Sequence, residues 1–91
     1  MNMPSPIDND LIAAKAQLIM KLRAKAIMSP NILAAIERVP REEFLPRALR
    51  AHAYENASLP IAFGQTISQP FVIATSLVAL DIQPSNRVLE I

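Results

Sequence analysis

Apolar residues recur at helical spacing in three stretches of the chain. In the first, Leu11, Ala14, Leu18 and Leu22 fall on one stripe, with Ile12 and Ile19 beside them. That period predicts an amphipathic helix over residues 11–26, about four turns long. Asp8 or Asp10 is expected to cap it, because a short side-chain oxygen can accept from the free amides of a first turn. Residues 1–10 read as a flexible arm. Ser29 and Pro30 open the second helix, over residues 30–39, with Ile32, Leu33 and Ile36 as its buried face. Pro40 disfavours helical geometry at Val39 and ends it. Ser68 and Pro70 open the third by the same logic, over residues 70–80. Its stripe is Ile73, Leu77 and Leu80, flanked by Val72.

Between the second and third helices the pattern breaks up. Residues 41–46 are bracketed by prolines and read as one helical or 3₁₀ turn presenting Phe44 and Leu45 to the core. Residues 47–54 read as a loose helical segment. Residues 57–63 (ASLPIAF) look extended, with Pro60 confining them to an edge or bend. Gly64 is expected to take a backbone geometry that other residues resist. After a turn over residues 81–86, residues 87–91 (RVLEI) read as a strand, rich in β-branched and apolar positions. A strand needs a neighbour for its amides and carbonyls, so the chain is expected to stop inside a fold.

Composition narrows the classes. The 91 residues are 52% hydrophobic and 19% charged, with net charge +1, and mean hydropathy is +0.26. This is too apolar for a disordered tail, and no basic excess points to nucleic acid. Cysteine is absent and His52 is alone, which excludes disulfides, thiolate metal sites and a zinc site built by this chain; no metal is expected. The single glycine excludes a complete phosphate or dinucleotide loop. Residues 1–10 lack the basic start of a secretory signal. The longest apolar run, 71–80, falls far short of the ~20 residues that span a bilayer. The reading is a cytoplasmic chain with no membrane partner. Lys15, Lys21, Arg23 and Lys25 read as a solvated basic face. A small apolar chain without disulfides or metal has surplus apolar surface, so a helical protein-interaction module is the alternative reading.

The segments RVPREEFLP (38–46), Ala53 with Tyr54, Leu59 to Ile61, GQTISQP (64–70) and RVLEI (87–91) occur in this order. Together they resemble the N-terminal part of the protein-L-isoaspartate O-methyltransferase family over about residues 11–91. GQTISQP is the most diagnostic; RVLEI alone would be weak. The resemblance implies an α/β class, with an N-terminal helical extension leading into the first strand of a Rossmann-like sheet, and this stretch mainly α. It implies methyl transfer from S-adenosylmethionine to the free carboxylate of isoaspartyl residues in damaged proteins and peptides. In the family a glycine-rich cofactor loop follows the strand. Here that loop would lie beyond Ile91, so the chain is expected to be an N-terminal fragment, inactive alone or an inactive remnant.

The family's catalytic serine corresponds to Ser68. Gln65, Thr66, Ile67 and Ser68 match the stretch that lines the family's cofactor pocket. Thr66, Ser68, Pro60 and Ile61 are the implied substrate contacts, with core packing equally open for the last two. From the residues alone, Ser68 reads first as a helix cap, and both roles can coexist. His52 reads as a surface histidine, Glu42 and Glu43 as a solvated first turn, and Phe44 and Tyr54 as core or groove wall. Glu90 reads as a strand-end carboxylate.

Overall fold

The computed structural model describes residues 6–91. Helix α1 spans Pro6–Ala24, α2 Pro30–Arg38 and α3 Pro70–Leu80. Between α2 and α3 lie 3₁₀ turns at Arg41–Phe44, Arg47–His52 and Ala62–Gly64. Among them runs an antiparallel hairpin of β1, Leu59–Pro60, and β2, Thr66–Ile67. The architecture is mainly helical with a small two-stranded sheet. No helix among the described residues is long and apolar enough to cross a membrane.

Helix α1 begins at Pro6, upstream of the expected start at Leu11. Proline suits a first helical position because its missing amide would have no partner there. Asp8 and Asp10 therefore fall inside the helix instead of capping it, and residues 6–10 of the expected arm are helical. Residues 1–5 of that arm lie outside the described residues.

The end of α1 is set by a local motif that its sequence hides. Ala26 has φ 68°. The Ile27 amide donates to Leu22 O at 2.9 Å and the Ala26 amide to Arg23 O at 3.0 Å. This is a Schellman ending, with alanine where glycine is usual. Its apolar pair is Leu22 and Ile27, both buried. Burial of that pair holds Ala26 in a conformation costing roughly 1–2 kcal/mol for an L-residue.

Helix α1 packs on α2 and on the second 3₁₀ turn, and α2 on α3. The core comprises Leu11, Leu18, Leu22, Ile27, Leu33, Leu45, Ala53, Tyr54 and Ala74. The α1 stripe is as expected in Leu11, Leu18 and Leu22, whereas Ile12 is exposed. The basic face of α1 is not merely solvated. Lys15 Nζ donates to Glu37 O at 2.8 Å and stands 4.9 Å from the Tyr54 ring centroid. Lys25 Nζ lies 5.0 Å from that of Phe71.

Three further expectations are corrected. Leu45 enters the core, but Phe44 is exposed, because the 3₁₀ turn ends at Phe44 and the backbone switches to extended geometry at Leu45, φ −104° and ψ 149°. In α3 the fully buried residue is Ala74, while Val72 and Leu80 are exposed. The helix is apolar on most of its circumference, so period alone could not say which side faces α2. Residues 87–91 are exposed and form no strand. The two short strands pair with each other, and residues 87–91 pair with neither.

The hairpin turns through residues 62–65. Its Gln65 amide donates to Ala62 O at 3.2 Å, with Phe63 at φ 62° and Gly64 at φ 69°. Two successive positive φ values make a turn whose twist matches the flanking strands. Gly64 fits this geometry, while Phe63 holds it against its preference and is 97% exposed. Phe63→Gly therefore removes strain and loses almost no burial. It should stabilise the protein by about 0.5–1 kcal/mol, read as a higher denaturation midpoint in urea.

Candidate functional site

Residues 64–70 run from the hairpin tip to the head of α3. Gln65, Thr66 and Ser68 are exposed, and Ile67 is half-buried against the core. Pro60, opposite Thr66 in the register, is exposed. Ile61 is half-buried and packs on the core; its amide donates to Gln65 O at 2.9 Å. The hairpin thus brings Pro60, Ile61, Gln65, Thr66, Ile67 and Ser68 together. Beside it lies an apolar cavity of about 330 Å³, whose walls include Ile67, Pro70, Tyr54 and Phe44.

Ser68 does not cap α3. The cap position belongs to Gln69, in extended geometry and with no side-chain cap bond. The free amide at the helix head is instead satisfied from another segment. Phe71 N–H donates to Asn56 Oδ1 at 3.0 Å, and Gln69 Nε2 donates back to Asn56 O at 3.1 Å. Asn56 therefore supplies the capping function expected of Ser68, and the Ser68 hydroxyl is left outside that duty.

Beneath Ser68 lies a residue that the sequence reading did not single out. Arg41 is 8% exposed. Its Nε donates to Ala53 O at 2.6 Å, Nη1 to Ser68 O at 2.9 Å and Nη2 to Ala57 O at 3.2 Å. Among the described residues it forms no ion pair with a carboxylate. Burial pulls its pKa below the ordinary arginine value, partly offset by Tyr54. A buried guanidinium is tolerated when its donors are matched, and here three carbonyls do the matching. The positive charge sits directly behind the Ser68 main chain, so the field there favours an anion.

Glu42 is not a solvated carboxylate as expected. It is half-buried and accepts a hydrogen bond from the Tyr54 hydroxyl. Burial first, then that bond and the Glu42 charge, push the Tyr54 phenol above its ordinary pKa. A raised folded pKa means the contribution to stability is fully present below the unfolded value of about 10 and is lost as pH climbs beyond it. The unfolding free energy should therefore fall more steeply above about pH 10 in the wild type than in Tyr54→Phe. Urea titrations of both proteins across that range check this; parallel slopes would refute it. Glu43 is exposed, and His52 is exposed and paired with Glu55 Oε1 at 2.8 Å. No group of three or more metal-ligating side chains occurs among the described residues.

Arg41 and Asn56 are the two site residues missed by sequence reasoning. A lone arginine between prolines carries no pattern of its own. Asn56 stands in a turn, where asparagine is common for purely local reasons.

Comparisons with known proteins converge on one family. Residues 13–91 match the family model described as protein-L-isoaspartate(D-aspartate) O-methyltransferase. The chain is 50% identical over 74 residues to the protein-L-isoaspartate O-methyltransferase of Yersinia enterocolitica serotype O:8 / biotype 1B, covering 81% of this chain and 36% of the relative. It is 51% identical, over the same shares, to those of Yersinia pestis strain Pestoides F and Yersinia pseudotuberculosis serotype O:1b. The chain thus spans 36% of the length of these relatives.

Proposed function

Because this chain belongs to the protein-L-isoaspartate(D-aspartate) O-methyltransferase family, we propose that it supplies the substrate-side part of an enzyme that methylates the free carboxylate of isoaspartyl residues. The family match over residues 13–91 is the observation that carries this reading. Isoaspartyl-containing proteins and peptides are the substrates, and the protein works in the cytoplasm. Residues 11–91 form one part of the methyltransferase domain. Within it, residues 87–91 become the first strand of a Rossmann-like sheet once a neighbouring strand pairs with them. Exposed Val88 and Leu89, and the open apolar side of α3 at Val72 and Leu80, support that placement.

Gln65, Thr66, Ile67 and Ser68 are the residues of this chain that would hold S-adenosylmethionine. Their donor set fits, with exposed amide and hydroxyl groups in a row. The flank of Gly64 is also open, with no atom within 4 Å of where a Cβ would stand. When bound, the cofactor supplies an electrophilic methyl group on a sulfonium.

The work left to the chain is placement. A carboxylate with a solution pKa of about 4 is already ionised at neutral pH, so no strong base is required. The Ser68 hydroxyl, free of capping duty, donates to one carboxylate oxygen and leaves the other to attack. Thr66, Pro60 and Ile61 flank the peptide. The charge of Arg41 behind the Ser68 main chain favours the carboxylate at this spot over the neutral amide of an undamaged side chain. Catalysis is then alignment and desolvation of a nucleophile already present.

The test is a pair of peptides differing only in an isoaspartyl or ordinary aspartyl linkage. Full-length protein should transfer labelled methyl to the first and ignore the second. Equal labelling of both refutes the assignment.

A further inference from the structure

We infer that Arg41 is a positioning residue for the methyl transfer, an inference that rests on the function just proposed. Its guanidinium fixes the Ser68 main chain against the turn over residues 53–57. Ser68 and Gln69 belong neither to β2, which ends at Ile67, nor to α3, which begins at Pro70. The Gln69 carbonyl takes the first bond of α3, from the Ile73 amide at 3.1 Å, whereas the Ser68 carbonyl is held by a side chain, that of Arg41. Arg41 holds Ser68, and Asn56 holds Gln69 and Phe71.

The Arg41 bonds join parts of the chain 12, 16 and 27 residues away. They bind the same turn, through Ala53 O and Ala57 O, to Ser68 O. Only a planar fork with several fixed donors can serve three carbonyls at once; a lysine ammonium has one nitrogen centre on a flexible stem. Arg41 is buried and its three nitrogens are turned to carbonyls. It therefore acts through Ser68 and does not itself touch the substrate. A displacement of about 1 Å at such a segment can cost on the order of a hundredfold in rate.

The experiment uses full-length protein carrying Arg41→Lys, assayed well below its melting temperature with the folded fraction verified by circular dichroism. The expected result is a kcat on the isoaspartyl peptide lower by about 30–100-fold. The cofactor Kd should rise by much less than kcat falls, since Gln65, Thr66 and Ile67, the other residues that would hold the cofactor, take no bond from Arg41. Leu22→Ala, a core variant far from these bonds in the sequence, is the control. It should lose stability yet keep kcat per folded molecule. A merely structural Arg41 would behave like that control, and full turnover in folded Arg41→Lys overturns the inference. If the lysine variant does not fold, Arg41→Gln replaces it with the same expectation, because it leaves no buried charge unpaired. Failure of both to fold makes Arg41 a folding residue only and also overturns the inference. A wild-type protein that does not distinguish the two peptides overturns the functional reading, and the role of Arg41 with it. A wild type that does distinguish them, beside a fully active lysine variant, overturns the role of Arg41 alone.

Discussion

Ser68→Ala in the full-length protein should lower turnover of an isoaspartyl peptide by about a hundredfold, with a much smaller loss of cofactor affinity. The size follows from losing the orientation of the attacking carboxylate, since a misplacement of about 1 Å can cost on the order of a hundredfold in rate. The fold should not suffer, because Ser68 is exposed and caps no helix. Asn56 holds the head of α3 and Arg41 holds the Ser68 carbonyl, and neither needs the hydroxyl. Structure and chemistry are thus separable at this position, which is uncommon for a serine just ahead of a helix. Steady-state kinetics on both substrates, beside a melting curve, check the claim. An unchanged kcat would remove Ser68 from the chemistry. A large loss of stability would show that the hydroxyl holds the fold.

Leu22→Ala should destabilise the protein by about 3 kcal/mol, within the range for leucines truncated in a packed core. Leu22 is 0% exposed. It also accepts the Ile27 amide that closes α1 and forms the apolar pair of that ending. Truncation therefore opens a cavity and weakens the contact that holds Ala26 at positive φ. Against a typical total of about 5–15 kcal/mol, this is a large fraction. Ile12→Ala, on the exposed side of the same helix, should change stability by less than about 0.5 kcal/mol. Urea unfolding of the two variants measures the contrast. Equal losses would mean that the α1 stripe has been assigned to the wrong face.

These effects depend unequally on what the sequence displays. The starts of α2 and α3 stand where Pro30 and Pro70 place them, and the buried stripe of α1 follows its period. Those are local signals, set within a few residues. The start of α1, at Pro6, lies upstream of the apolar pattern, so that pattern alone places it too late. Phe44 was misplaced because a short 3₁₀ turn has too few residues for a period to show which side is inside. For α3 the difficulty was reversed: with apolar residues nearly all round, every face looked like a core face.

The candidate site divides along the same line. Its linear part, residues 64–70, is contiguous in the sequence and stays contiguous in space, between the hairpin and the head of α3. The sequence by itself determined three helices, the proline and glycine punctuation between them, and the placing of Ser68 beside Thr66 at the head of the third. Each of these is a property of neighbours along the chain. Only the tertiary structure decided that Asn56 would cap α3, that Ser68 would be released from that duty, and that a buried arginine would bind Ser68 to a distant turn. Those bonds cross 12 to 27 residues of chain. No period or motif encodes such contacts, because which carbonyl meets which donor is fixed only when helices and hairpin have packed.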